Sequence, residues 1–184
     1  MKIRTAVIVA LVTLAPLGIG QAQISNPLKV TLFGGPAFPT GNTSDLVKTG
    51  FNVGGALDLK LPLIPVGFRG EVIYSSFDAS DTRTTVATAD ASELGGNVNV
   101  VAWVPLPTAG LIRPYFTAGP SYSRLELTPT SGTGSTANRA GFNVGAGVQF
   151  SLIALGMRLD ARYRRISTDN GSFSYVPVTV GVTF

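Results

Sequence analysis

The chain predicts an all-β fold, an eight-stranded antiparallel up-and-down transmembrane β-barrel. Three observations carry that prediction. Eight segments of roughly ten residues alternate between apolar side chains and small or polar ones, the period of a strand with two unlike faces. The connections between them alternate in character, some short and others longer or more polar. No apolar helix follows the first twenty or so residues, so a membrane-embedded chain must close its strands into a barrel, because lipid cannot satisfy open strand edges.

The N-terminus comes first. Lys2 and Arg4 form a short positive region, Ala6 to Leu17 is almost continuously apolar, and Gly20-Gln21-Ala22 offers small residues for a signal peptidase. Pro16 interrupts a run already too short for a comfortable membrane-spanning helix. Residues 1–22 therefore read as a cleaved secretory signal and residues 23–184 as one barrel domain of about 160 residues. The competing reading is a retained anchor.

The strands follow in order. The first runs from about Lys29 to Phe38. In the second, Gly50 to Leu61, Phe51, Val53, Leu57, Leu59 and Leu61 share a face opposite Asn52, Gly54, Ala56, Asp58 and Lys60. The third, Val66 to Phe77, sets Val66, Phe68, Val72 and Tyr74 against Gly67, Arg69, Glu71 and Ser75. In the fourth, Ser92 to Val104, Leu94, Val98, Val100, Ala102 and Val104 oppose Glu93, Gly95, Asn97 and Asn99. The fifth, sixth and seventh are Ile112 to Leu125, Arg139 to Phe150 and Met157 to Ile166. The eighth, Phe173 to Phe184, alternates most cleanly, with Val176, Val178, Val180, Val182 and Phe184 opposite Tyr175, Pro177, Thr179, Gly181 and Thr183. None of these stretches sustains a helical period.

Short connections join Leu61 to Val66, Val104 to Ile112 and Phe150 to Met157, whereas Asp78–Ala91 and Thr128–Asn138 are polar loops. Short turns on one side and longer loops on the other are the outer-membrane arrangement, and an even strand count returns both termini to the periplasmic side. The turns themselves are apolar, with Leu63, Ile64, Leu152 and Ile153, which places them in the membrane interface.

Three stretches carry a family likeness. They are Arg113-Pro114-Tyr115-Phe116-Thr117-Ala118-Gly119, Gly145-Ala146-Gly147-Val148-Gln149-Phe150 and Arg158-Leu159-Asp160-Ala161-Arg162-Tyr163-Arg164. Together they resemble the small outer-membrane β-barrel family that includes the OmpA transmembrane domain and OmpX. The family's seventh strand usually carries Glu where this chain has Asp160. The resemblance implies the outer membrane of a Gram-negative-type bacterium, contact with outer-membrane lipid, and delivery to the barrel assembly machinery. Phe184 then resembles the final aromatic residue that this machinery reads as an assembly signal. A sequence ending at the barrel would lack the peptidoglycan-binding domain of full-length OmpA proteins.

The polar face holds Asp58, Lys60, Arg69, Glu71, Arg113, Arg158, Asp160, Arg162 and Arg164, together with Gly54, Gly95, Gly119, Gly145, Gly147 and Gly181. An eight-stranded barrel has an interior just wide enough for side chains to fill. Glycines leave room for long arginines, and charges buried there must be paired. These charges read as a structural plug. The alternative is a narrow channel or a barrel that binds a small solute or lipid. A soluble lipocalin-like barrel would alternate too, but with its apolar face inward, leaving glycines, arginines and carboxylates as its exterior.

Composition bounds function. The chain has no Cys and no His, which removes the usual ligands of zinc and haem and the base of Ser/His catalysis. Ser131 and Ser135 have no base partner in the sequence, and Asp78, Asp81 and Asp90 match no calcium loop. The formal charge of +4, to which Lys2 and Arg4 contribute two, is too small to argue for nucleic acid. A non-catalytic surface or structural role, with no cofactor or metal, is the expectation. Loops 78–91 and 127–138 are the places for an extracellular partner.

Overall fold

The computed structural model describes residues 28–44, 47–79, 89–107, 111–129, 135–151, 155–168 and 171–184. The expected signal segment, residues 1–22, lies outside them. Eight strands close into one antiparallel barrel in which every strand pairs with its neighbours in sequence. They are β1 Leu28–Pro39, β2 Gly50–Lys60, β3 Val66–Phe77, β4 Ala89–Trp103, β5 Ile112–Pro129, β6 Ser135–Ser151, β7 Gly156–Thr168 and β8 Gly171–Thr183. A 3₁₀ turn, Gly41–Thr43, follows β1. The barrel closes where β1 meets β8, with Thr31 opposite Thr183, Phe33 opposite Gly181 and Ala37 opposite Pro177. Phe184 finishes the seam: its N–H donates to Val30 O at 2.8 Å, and Val30 N–H donates to Phe184 O at 3.3 Å.

The apolar face points outward. Leu32, Val53, Leu57, Phe68, Val72, Val98, Val100, Phe116, Val144, Leu159 and Val180 are exposed, while Asn52, Asp58, Arg69, Glu71, Asn97, Asn99 and Thr179 are buried. This is the inverse of a soluble barrel and suits a lipid-facing band. Aromatic pairs stud that band toward the end bearing the β1–β2 connection: Phe51 with Tyr74 at 6.0 Å, and Phe142 with Tyr163 at 6.3 Å. At the opposite end Leu63, Ile64, Leu106, Leu111 and Leu155 are exposed on the turns. Leu63 holds φ at 72°, a conformation that costs a residue with a Cβ about 1–2 kcal/mol.

Three strands run beyond their apolar alternation. β4 begins at Ala89, β5 reaches Pro129 and β6 begins at Ser135, with Ala89 opposite Pro129 and Leu127 opposite Ser135. Alternation predicts loops over 78–91 and 127–138, and the ladders shorten both. The outward side chains there are Asp90, Arg124, Glu126 and Thr128. They are charged or polar, so the apolar alternation stops while the backbone ladder continues.

Candidate functional site: the barrel lumen

Inward-facing residues build the lumen in layers. Between the two mouths four arginines, Arg69, Arg158, Arg162 and Arg164, are buried with four carboxylates, Asp58, Glu71, Glu93 and Asp160. Arg162 of β7 reaches Glu71 of β3 with two N–H groups, Nη1 onto Oε2 and Nη2 onto Oε1, the latter at 2.8 Å. Its Nε donates to Asp160 Oδ1. Glu71 Oε2 also accepts from Asn97 Nδ2 at 3.1 Å and Asn99 Nδ2 at 3.0 Å. Arg69 Nε donates to Asp58 Oδ1 at 2.6 Å and its guanidinium stacks 4.8 Å from the Tyr115 ring. Tyr115 in turn donates its hydroxyl to Asp160 Oδ2. Arg158 is held more loosely, 3.6 Å from Asp58 and 3.8 Å from Glu71, with its guanidinium 5.1 Å from the Phe33 ring.

A second group sits closer to the loop end and centres on Glu93. Its Oε1 accepts from Arg164 Nη2 at 2.6 Å and Ser123 Oγ at 2.7 Å, and its Oε2 accepts from the Tyr175 hydroxyl at 2.7 Å. Arg164 Nη1 donates to Asn97 Oδ1 at 2.8 Å, which joins the two groups. A pocket of about 10 Å³, lined by Asp160, Arg162, Arg164, Asn52, Asn97 and Phe33 among others, remains between them. It has room for a single water.

Apolar clusters flank the charges. Toward the loops, Ala37, Val47, Phe77, Ala91, Leu125, Ile166 and Tyr175 pack together with Phe173 against them. Phe77 meets Phe173 and Tyr175 edge-on at 5.4 and 5.0 Å. Val47 comes from the β1–β2 connection, which is tied into the mouth by Thr43 Oγ1 accepting from Ser174 N–H at 2.9 Å and by Lys48 N–H donating to Asp78 O at 2.9 Å. Toward the turns, Val101, Trp103 and Tyr115 form a smaller cluster.

Of the charges that sequence places on the inner face, Asp58, Arg69, Glu71, Arg158, Asp160, Arg162 and Arg164 meet in this network. Lys60 and Arg113 do not join it. They lie half-buried at the turn end, Lys60 Nζ 4.8 Å above the Trp103 ring. Sequence reasoning missed Glu93 as a network centre, together with Tyr115 and Tyr175 as its bracing hydroxyls. The parity of Glu93 was the available signal. Of the loop acids, Asp90 Oδ1 accepts from Ala79 N–H at 3.2 Å and Asp78 is exposed, while Asp81 lies outside the described residues. Ser135 is exposed at the start of β6, and Ser131 lies outside the described residues. No cluster that could hold a metal forms among the described residues.

The family model of the outer membrane protein β-barrel domain matches residues 8–184. The chain belongs to this family. Solved structures with the same fold include Neisserial surface protein A, at 15 % identity and a TM-score of 0.64 over 86 % of this chain and 96 % of that one. A major outer membrane protein of Thermus thermophilus superposes with a TM-score of 0.56 at 15 % identity, over 86 % and 99 % of the two chains. The N-terminal β-barrel domain of Pseudomonas aeruginosa OprF does so at 0.51 and 14 %, over 85 % and 96 %. No curated protein sequence matches this chain significantly. At such identities the shared property is the outer-membrane barrel fold.

Proposed function

We propose that this outer-membrane barrel is a sealed, non-catalytic protein with a structural or surface-interaction role. Its leader, residues 1–22, is removed on export, and its connections at 40–49, 78–88 and 130–134 face the cell exterior. The observation that carries this reading is the cross-lumen network. Four guanidiniums and four carboxylates balance each other and are bonded from β3 to β7 and from β4 to β7. Conducting an ion would require breaking these pairs, and separating one partner of a buried pair costs about 3–5 kcal/mol. Apolar clusters lie on both sides of the charged layer.

The test is conduction. Purified protein in planar bilayers is expected to give no stable single-channel steps. Reproducible steps that change when Arg162 is replaced by Met would overturn the sealed reading and establish a narrow channel.

A further inference from the structure

The turn-end mouth of the lumen gathers positive charge. Lys29 on β1, Lys60 on β2 and Arg113 on β5 all have inward parity there, and all three are half-buried. Lys60 lies within electrostatic reach of both Arg113 and Lys29. Among the described residues none of the three has an ion-pair partner. Asp58, which stands opposite Lys29 across the β1–β2 ladder, is already engaged by Arg69 at 2.6 Å and approached by Arg158 at 3.6 Å.

A second observation is independent of charge. Trp103 is 8 % exposed, and its indole Nε1–H, shut off from solvent, has no acceptor. Glycine at position 67 makes room for the ring: a Cβ there would lie 3.0 Å from Trp103 Cζ3. Lys60 covers the ring face, and Tyr115 pairs with Trp103 across the β4–β5 ladder two residues from Arg113. The mouth thus gathers three cations that form no ion pair among the described residues and a buried indole donor without a partner. A buried donor without a partner forfeits its hydration with nothing in return, and a cluster of like charges adds to that cost.

We propose that this mouth is a phosphate-binding site, taking either a free phosphate in the periplasm or the phosphodiester headgroup of an inner-leaflet lipid. A phosphate group presents several acceptor oxygens at once. It suits a guanidinium fork flanked by two ammonium groups better than a single carboxylate or a halide does.

The chain has one tryptophan, so its fluorescence reports on this mouth alone. Folded protein in neutral detergent is titrated with inorganic phosphate, and with chloride and acetate at matched ionic strength. The same protein in phosphate-free neutral detergent is titrated separately with phosphatidylglycerol and with phosphatidylcholine, both of which carry the phosphodiester. A saturable change with inorganic phosphate assigns a free anion. A change that a phospholipid elicits and inorganic phosphate does not assigns a lipid headgroup. Lys60→Gln and Arg113→Gln are each expected to weaken the effective response about tenfold, with Arg113→Lys intermediate. Heat-modifiable mobility checks that each variant is folded, and calorimetric titration of the unmodified protein reads phosphate binding without any substitution. No saturable response to either phosphate source, a response matched by chloride or acetate, or one unchanged in Lys60→Gln and Arg113→Gln would overturn the proposal.

Discussion

Glu71 and Arg162 meet across the full width of the barrel. They stand on β3 and β7, four strands apart in either direction around the closed sheet, and share two hydrogen bonds. Neighbouring strands are tied to each other by the backbone ladder. Opposite strands have only side chains to connect them, so this pair and Arg164–Glu93 brace the cross-section.

That arrangement predicts a strong, paired dependence. Glu71→Gln and Arg162→Met are each expected to lower unfolding stability by about 3 kcal/mol, because each leaves the other charge buried without its bidentate partner, Arg162 keeping Asp160 and Glu71 keeping Asn97, Asn99 and the more distant Arg158. The charge-balanced double variant is expected to lose less than the sum of the two. Urea unfolding in lipid vesicles, arranged as a double-mutant cycle, measures the coupling. Strictly additive losses would show that the pair does not act as a unit.

Space for the network depends on β6. Gly145 is paired with Arg162, and a Cβ at 145 would lie 2.7 Å from the Arg162 Cα as well as against its side chain. Gly145→Ala is expected to cost about 1–3 kcal/mol through overpacking. Gly70 on β3 faces outward with open space around its Cβ position, so Gly70→Ala serves as the neutral control. The same unfolding measurement compares the two. Equal effects would remove the argument that the glycines make room for arginine.

The inside-out packing is directly addressable, since the chain has no cysteine of its own. Val180 is 52 % exposed on the outer face, and its neighbour Thr179 is 3 % exposed in the lumen. In lipid, Val180→Cys is expected to react with a membrane-partitioning thiol reagent and resist a water-soluble one. Thr179→Cys should resist the lipid reagent. Val148→Cys and Gln149→Cys on β6 repeat the comparison, although Val148 is only half-exposed and should label more slowly. If Val180→Cys is shielded from the lipid probe while Thr179→Cys takes it up, the assigned faces are reversed.

How much of this was legible in sequence follows from parity. Strand alternation alone sorts Asp58, Arg69 and Glu71 to one face and Leu57, Phe68 and Val72 to the other, because adjacent strand residues point oppositely. Which inward residues meet is set by strand stagger, which alternation does not reveal. Glu93 therefore read as one polar residue of its strand, although it gathers Arg164, Ser123 and Tyr175 from three other strands. The apolar layer under the loops was hidden for a related reason. Phe77, Leu125 and Ile166 have inward parity yet lie at the ends of the apolar-alternating stretches, where they read as edges of the pattern. Lys60 and Arg113 had the right parity for the network, but their strands place them at its turn end, too low to reach it.

Phe184 has two separable parts. Its backbone completes the β1–β8 seam through both hydrogen bonds with Val30, while its ring projects outward and is 64 % exposed. A ring so exposed adds little to packing within the barrel. Phe184→Ala keeps the seam and removes the ring, so refolding into detergent micelles is expected to proceed almost unchanged, by heat-modifiable mobility. Deleting Phe184 removes the seam bonds as well and should slow that refolding. In cells, both variants should accumulate far less folded barrel in the outer membrane than the unaltered protein if the aromatic ring is what the assembly machinery reads. Normal outer-membrane levels of Phe184→Ala would confine the residue to closing the seam and remove its role as an assembly signal.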